Sequence, residues 1–214
     1  MNPVLCSKPF ARRHLLRCAT ALALASLLLV GCDAPSSSGG TATVFKGIDI
    51  TGADYAHTLS LTDQNGQPRT LADFKGKVTV VFFGYTQCPD VCPTTMAELA
   101  QVKAALGKDG DRVQGVFVTV DPDRDTAAVL KSYMSGFDPS FVALRGTPDE
   151  IAATAKEFKV FYARVPGKTE GSYSVDHTAG SYVFDAQGKV RLFIRYGSGA
   201  EALAADLKTL LALG

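Results

Sequence analysis

Two cysteines, Cys88 and Cys92, stand in the stretch Gly84-Tyr85-Thr86-Gln87-Cys88-Pro89-Asp90-Val91-Cys92-Pro93, where an apolar β-type run gives way to a helical pattern. Thiols so placed do metal or redox chemistry. In a regular helix an i, i+4 pair faces one side with Cβ atoms about 5–6 Å apart, whereas a disulfide wants about 3.5–4.5 Å. Two thiolates converging on one soft metal ion need less distortion. The spacing favours a metal and leaves a disulfide open. A helix N-terminus beside Cys92 is expected to lower the thiol pKa through its dipole, which aids metal binding and thiol exchange alike.

The chain has three histidines. His14 lies in the export segment described below, and His57 sits in a polar stretch that reads as surface. His177, in Tyr173-Ser174-Val175-Asp176-His177-Thr178-Ala179-Gly180, precedes a predicted strand. It falls on a loop that a thioredoxin-like sheet would run beside the first strand-to-helix junction, which brings it to Cys88 and Cys92. Two thiolates and one imidazole favour copper among first-row metals. Cu(I) tolerates two or three soft ligands, while Cu(II) gains from nitrogen and added oxygen donors. Asp176 or a water is then a candidate to complete or support a Cu(II) site. Zinc is the competitor, but a structural zinc site wants four protein ligands.

A second acidic cluster, Asp121, Asp123 and Asp125 with Arg124, follows the next strand. Pro122 and Thr126 supply turn and helix-start chemistry, so it reads as a capped turn with local ion pairs rather than a metal site. Tyr133, Phe137, Phe158 and Phe161 read as core residues at helical spacing.

The elements that must position these groups are legible as patterns. Leu59 to Thr62 and a strand from about Arg69 flank Asn65-Gly66, a hairpin signal. Val78 to Phe83 is a continuous β-branched and aromatic run that fits a strand buried on both faces. Met96, Leu99, Val102 and Leu106 recur at helical spacing over Thr94 to Leu106, and Val113 to Val120 is a second buried strand, which completes a βαβ unit. A helix is expected from Thr126 to about Met134. Thr147-Pro148-Asp149-Glu150 is a capping box with proline at the first helical position, and Val160 to Arg164 reads as a short strand or extended segment. Ser181 to Phe184 and Val190 to Tyr196 bracket a hairpin, and Ser198-x-x-Glu201 opens a C-terminal helix. The order predicts an α/β thioredoxin-like fold: a mixed central sheet with helices on both faces and an N-terminal hairpin extension. The cysteines sit at the carboxyl end of a strand, where ligands bind in open α/β sheets.

The opening of the chain reads as an address rather than a fold. Arg12, Arg13 and Arg17 precede an apolar run from Ala19 to Val30, too short for the roughly 20 residues a membrane-spanning helix needs. Leu29-Val30-Gly31-Cys32 resembles a bacterial lipobox. The expectation is a lipoprotein signal over residues 1–31, a lipidated Cys32, a Ser/Gly/Thr-rich flexible tether to residue 44, and one domain over 45–214. Of the five cysteines, Cys6 and Cys18 then leave with the signal and Cys32 is blocked, so Cys88 and Cys92 remain as thiols in an oxidising compartment. A purely structural disulfide across so short a loop returns little stability. Loss of Lys8 and the three arginines takes basic residues from 22 to 18 against 21 acidic ones, turning +1 into −3. Nothing points to nucleic acid.

Three blocks, Gly84-Tyr85-Thr86-x-Cys88-Pro89-x-x-Cys92-Pro93-Thr94, Val120-Asp121-Pro122-x-Arg124-Asp125-Thr126 and Asp176-His177-Thr178, together resemble the Sco/SenC copper-chaperone family over about the whole exported domain. The resemblance implies a thioredoxin-like fold, copper bound by Cys88, Cys92 and His177, and a part in assembling the dinuclear copper centre of cytochrome c oxidase. The implied partners are a copper-receiving oxidase subunit and a periplasmic thiol reductant or another copper chaperone. Many relatives resemble single-span membrane proteins, whereas this chain carries a lipobox. Asp33 after the modified cysteine resembles the signal that retains Gram-negative lipoproteins on the inner membrane, which implies a lipid-anchored protein on its periplasmic face. Copper delivery needs no turnover. The rival reading is a thiol-disulfide oxidoreductase that keeps a partner's copper-ligand cysteines reduced, with Cys88 as attacking thiol. A general thioredoxin is disfavoured by the three-residue spacing, the absence of tryptophan and the lack of a proline beside His177. A thiol peroxidase is disfavoured by the lack of a distinct arginine and resolving-cysteine pattern.

Overall fold

The computed structural model of the protein describes residues 44–214; the expected signal, lipidated Cys32 and tether up to Thr43 lie outside the described residues. In chain order the strands and helices are β1 (Ile48–Asp49), β2 (Ser60–Asp63), β3 (Pro68–Thr70), β4 (Val78–Gly84), α1 (Val91–Ala105), β5 (Val113–Thr119), α2 (Ala127–Ser135), β6 (Val142–Arg145), α3 (Pro148–Glu157), β7 (Tyr162–Pro166), β8 (Tyr173–His177), β9 (Gly180–Phe184), β10 (Val190–Arg195) and α4 (Ala200–Leu213). Eight strands form one mixed sheet in the order β1-β10-β9-β4-β5-β6-β2-β3. β7 and β8 form a separate two-stranded sheet.

β4 and β5 are buried at all seven positions each, Thr79, Gln114 and Thr119 included, as central strands covered on both faces are. They pair in parallel from Val78 opposite Val113 to Gly84 opposite Thr119, with α1 as the crossover. β6 extends the parallel set, and β9 closes the other side of β4 antiparallel. Alternation along β4 divides the core between two layers. Phe82 stands 6.2 Å from Phe117, whose ring is 5.6 Å from Tyr133 of α2. Phe83 turns the other way, 5.1 Å from Phe158 at the end of α3. Helices therefore cover both faces, and the fold is thioredoxin-like with the N-terminal hairpin β2–β3 added at the β6 edge.

Local chemistry sets the helix starts. Thr126 caps α2 by accepting the Val129 N–H, and Thr147 with Glu150 forms the expected reciprocal box at α3. α4 departs from expectation. It begins at Ala200 after Gly199, whose φ of 88° only glycine tolerates well, and Ser198 donates its hydroxyl to the Arg195 carbonyl instead of capping. Phe161 also departs: it is 64% exposed, while Phe158 is fully buried and Tyr133 and Phe137 pack against the core. The short strand read over Val160 to Arg164 is β7, and β1, β6 and β8 add strands that the patterns did not reveal.

Candidate metal centre

The site forms where β4 ends. Gly84 is the last strand residue, and a Cβ there would fall 2.8 Å from Cys92 Sγ, 2.8 Å from the Phe82 ring and 3.0 Å from the Phe117 ring. Only glycine lets the backbone pass this close to a thiol. The chain then loops through Tyr85 to Asp90 before α1 starts at Val91, so Cys88 lies in the loop and Cys92 in the first helical turn. The loop is fixed from below. Asp125, fully buried, accepts the Thr86 N–H at 3.1 Å, the Thr86 hydroxyl at 2.6 Å and the Thr119 hydroxyl at 2.6 Å. Burial raises the Asp125 carboxyl above its ordinary value against those hydrogen bonds.

Cys88 N–H donates to the Tyr85 carbonyl at 3.2 Å, and Cys92 N–H donates to Cys88 Sγ at 3.5 Å. Cys88 is half-buried, Cys92 is buried, and both are free thiols. Burial pushes the Cys92 thiol well up, with the neighbouring Cys88 adding to the effect. The expected lowering by the helix dipole is overridden at Cys92, because desolvation of a buried thiolate outweighs a partial charge at the helix end.

His177 arrives from the opposite side as the last residue of β8, a strand end rather than the loop expected from the sequence. Its Nε2 lies 3.4 Å from Cys92 Sγ, and its Nδ1 lies 3.1 Å from the Thr178 carbonyl. A carbonyl only accepts, so Nδ1 carries the proton and Nε2 presents its lone pair to the thiols. The Phe82 and Tyr85 rings meet the imidazole edge-on at 5.8 and 6.0 Å. Burial holds the imidazole below its ordinary pKa, with the Thr178 carbonyl opposing.

The ligand atoms of Cys88, Cys92 and His177 lie within 4.8 Å of one another, and among the described residues this is the one such cluster of three. Asp176 is not brought into it. Strand alternation puts Asp176, which is exposed, on the opposite face of β8 from His177. His57 is exposed, as expected. The acidic cluster is a capped turn with ion pairs: Arg124 pairs with Asp121 and Arg164 with Asp123.

Residues 49–212 match the family model described as SCO1/SenC. The protein belongs to the SCO1/SenC family. A SCO2-like protein of Rickettsia felis is 37% identical over 151 residues, 70% of this chain and 72% of that protein. The structure of Bradyrhizobium japonicum ScoI with copper bound shares 46% identity, covers 72% of this chain and 97% of that one, and superposes with a TM-score of 0.66. A SCO1/SenC family lipoprotein from Bacillus anthracis shares 28% identity over 74% of this chain and 98% of its own, with a TM-score of 0.60.

The sequence places Arg124 in the acidic turn but gives no sign of the part played by Tyr173, through which that turn is linked to β8. Tyr173 Oη donates to Asp121 at 2.8 Å, and Arg124 Nη1 donates to the Tyr173 carbonyl at 2.9 Å. The only sequence signal for β8 is the alternation of Tyr173, Val175 and His177 with Ser174 and Asp176. No helix among the described residues is long and apolar enough to cross a membrane.

Proposed function

We propose that the protein is a copper chaperone that holds one copper ion through Cys88, Cys92 and His177 and passes it to the dinuclear copper centre of cytochrome c oxidase. The observation that carries the reading is the convergence of two thiols and one imidazole nitrogen within 4.8 Å. The donor set fits the cargo: two sulfurs satisfy Cu(I), and the added nitrogen favours Cu(II). The Thr178 carbonyl orients His177 by its Nδ1–H, as outer partners of metal-bound histidines do. Both thiols must lose their protons to bind, so loading releases protons to solvent. Cys88, the more accessible of the two thiols, is where a partner's thiolate begins the exchange.

Membership of the family and the copper-bound Bradyrhizobium relative support this reading. The reading includes a signal over residues 1–31, a lipidated Cys32, a tether to residue 44 and a binding domain over 45–214, anchored on the periplasmic face of the inner membrane. The lipoprotein from Bacillus anthracis supports the anchor.

A second reading is favoured by one observation, the half-buried Cys88 beside the buried Cys92. In it Cys88 attacks a partner's disulfide, Cys92 displaces the partner from the mixed disulfide, and the pair ends oxidised while the partner's thiols end reduced. Anaerobic titration of the reduced protein with Cu(I) and Cu(II) separates the two. Delivery predicts one tightly held ion; copper binding no tighter than in Cys88→Ser/Cys92→Ser, with disulfide reduction indifferent to His177→Ala, favours the oxidoreductase.

A further inference from the structure

We propose that Arg124 is a positioning residue for this site: its guanidinium pins the β7–β8 hairpin, and with it His177, to the loop that carries Cys88. The proposal rests on the copper reading for its consequence, but its geometry stands apart from it. β7 and β8 make no strand pairing with the eight-stranded sheet, so main-chain hydrogen bonds of that sheet do not fix where β8 lies. At the His177 end, Thr178 N–H donates to the Phe161 carbonyl and Phe161 N–H to the Thr178 hydroxyl, closing the base of the hairpin, and Ala179 joins that base to the main sheet by accepting the Tyr196 N–H at 3.0 Å. Val175 supplies a buried apolar contact at mid-strand. At the far end Tyr173 packs partly buried against the core, and polar groups fix its direction.

Arg124 stands at the junction of three segments. Its Nε pairs with Asp121, and its Nη1 donates both to Gln87 Oε1 at 3.1 Å and to the Tyr173 carbonyl at 2.9 Å. Gln87 immediately precedes Cys88, and Tyr173 opens the strand that ends in His177. The guanidinium carbon lies 3.7 Å from the Tyr173 ring centroid and 5.6 Å from that of Tyr85, the ring edge-on to His177. Tyr173 reaches Asp121 with its own hydroxyl, and Arg164 of β7 pairs with Asp123. Arg124 thus touches the neighbours of two ligand-bearing segments and none of the ligands.

The lever arm explains why this matters. Four residues of strand separate Tyr173 from His177, roughly 13 Å at about 3.3 Å per residue. If Tyr173 is released and the strand tilts by about 10° about its buried midpoint, Val175, then His177, two residues or roughly 7 Å away at about 3.3 Å per residue, moves about 1 Å, beyond the roughly 0.2 Å that ligand distances allow. Arg124 is also an expensive way to fill the space. Nη2 is buried without a partner, and a partly buried charge pays desolvation that an apolar side chain would not. Such groups are retained where they specify one arrangement over others, and a planar fork able to address Asp121, Gln87 and Tyr173 at once does that where a lysine cannot.

The test uses Arg124→Ala and Arg124→Lys in the otherwise intact protein, with two readouts. In the metal-free protein, amide hydrogen exchange of Tyr173 to His177 is expected to rise about tenfold or more in Arg124→Ala, with β4 and β5 amides unchanged. In copper titrations, Cu(II) affinity and the imidazole nitrogen coupling in pulsed electron paramagnetic resonance are expected to fall, affinity by about 10–100-fold, while Cu(I) affinity holds within about threefold. Arg124→Ala/His177→Ala is expected to bind Cu(II) no more weakly than His177→Ala alone. Arg124→Lys, which keeps the charge, is expected to keep the thermal stability of the parent and still lose protection in β8. Unchanged β8 exchange in Arg124→Ala, or exchange that rises equally in β4 and β5, overturns the pin. So does a double variant whose losses add in full. If the parent protein binds no copper, the copper reading fails while the exchange readout still decides the pin.

Discussion

His177 Nε2 faces Cys92 Sγ at 3.4 Å while its Nδ1 faces the Thr178 carbonyl at 3.1 Å. The imidazole is therefore held as the tautomer a soft metal needs before any metal arrives. His177→Ala is expected to leave Cu(I) binding by the two thiolates largely intact and to weaken Cu(II) by at least about tenfold, about 1.4 kcal/mol. Competition titrations with chelators of known affinity check both oxidation states. Equal loss for the two would mean that the histidine supports the fold rather than the ion.

Gly84 makes a second prediction. A methyl group there would stand 2.8 Å from Cys92 Sγ and against the Phe82 and Phe117 rings, none of which is the free end of a flexible chain. Gly84→Ala is expected to cost about 1–3 kcal/mol as overpacking and to lower copper affinity by displacing Cys92. Thermal unfolding with and without copper reads both, since a ligand that binds only the folded state raises the midpoint.

How far these residues could be read beforehand differs by element. β4, α1 and β5 are plain in the sequence because β-branched and aromatic runs on either side of a helical period leave one interpretation. The cysteine loop followed from where the run stopped. β8 was not plain. Its alternation of Tyr173, Val175 and His177 with Ser174 and Asp176 is only five residues long, and a partner strand with the exposed run Val165–Pro166 gives no apolar pattern. Phe161 misled because an aromatic in a helical register need not be covered when the helix ends first, and α3 stops at Glu157. The rise in the Cys92 pKa is equally hidden, since it comes from burial that only the tertiary fold creates. Arg124 lies in the block Val120 to Thr126, yet its hydrogen bond to the Tyr173 carbonyl spans 49 residues and has no local signal.

Asp63 carries the pH dependence of the N-terminal hairpin. Burial alone would raise its carboxyl, but the backbone N–H groups of Gln67 and Asn65 and the Arg69 guanidinium outweigh burial and hold it below its ordinary value of 3.8. A carboxyl depressed on folding contributes stability that is complete above its unfolded pKa and is lost as pH falls through the folded one. Asp63→Asn is expected to lose about 1–3 kcal/mol at neutral pH, with the gap to the parent protein narrowing below about pH 4. Denaturant titrations at pH 7 and pH 3 check the sign, and a gap that widens in acid refutes it.

X-ray absorption on the copper-loaded protein tests the central claim most directly. The account predicts two sulfur scatterers and an imidazole nitrogen around Cu(II), with the imidazole contribution absent in His177→Ala and the sulfur contribution absent in Cys88→Ser/Cys92→Ser. A copper shell of oxygen and nitrogen alone, unchanged by either variant, would contradict it.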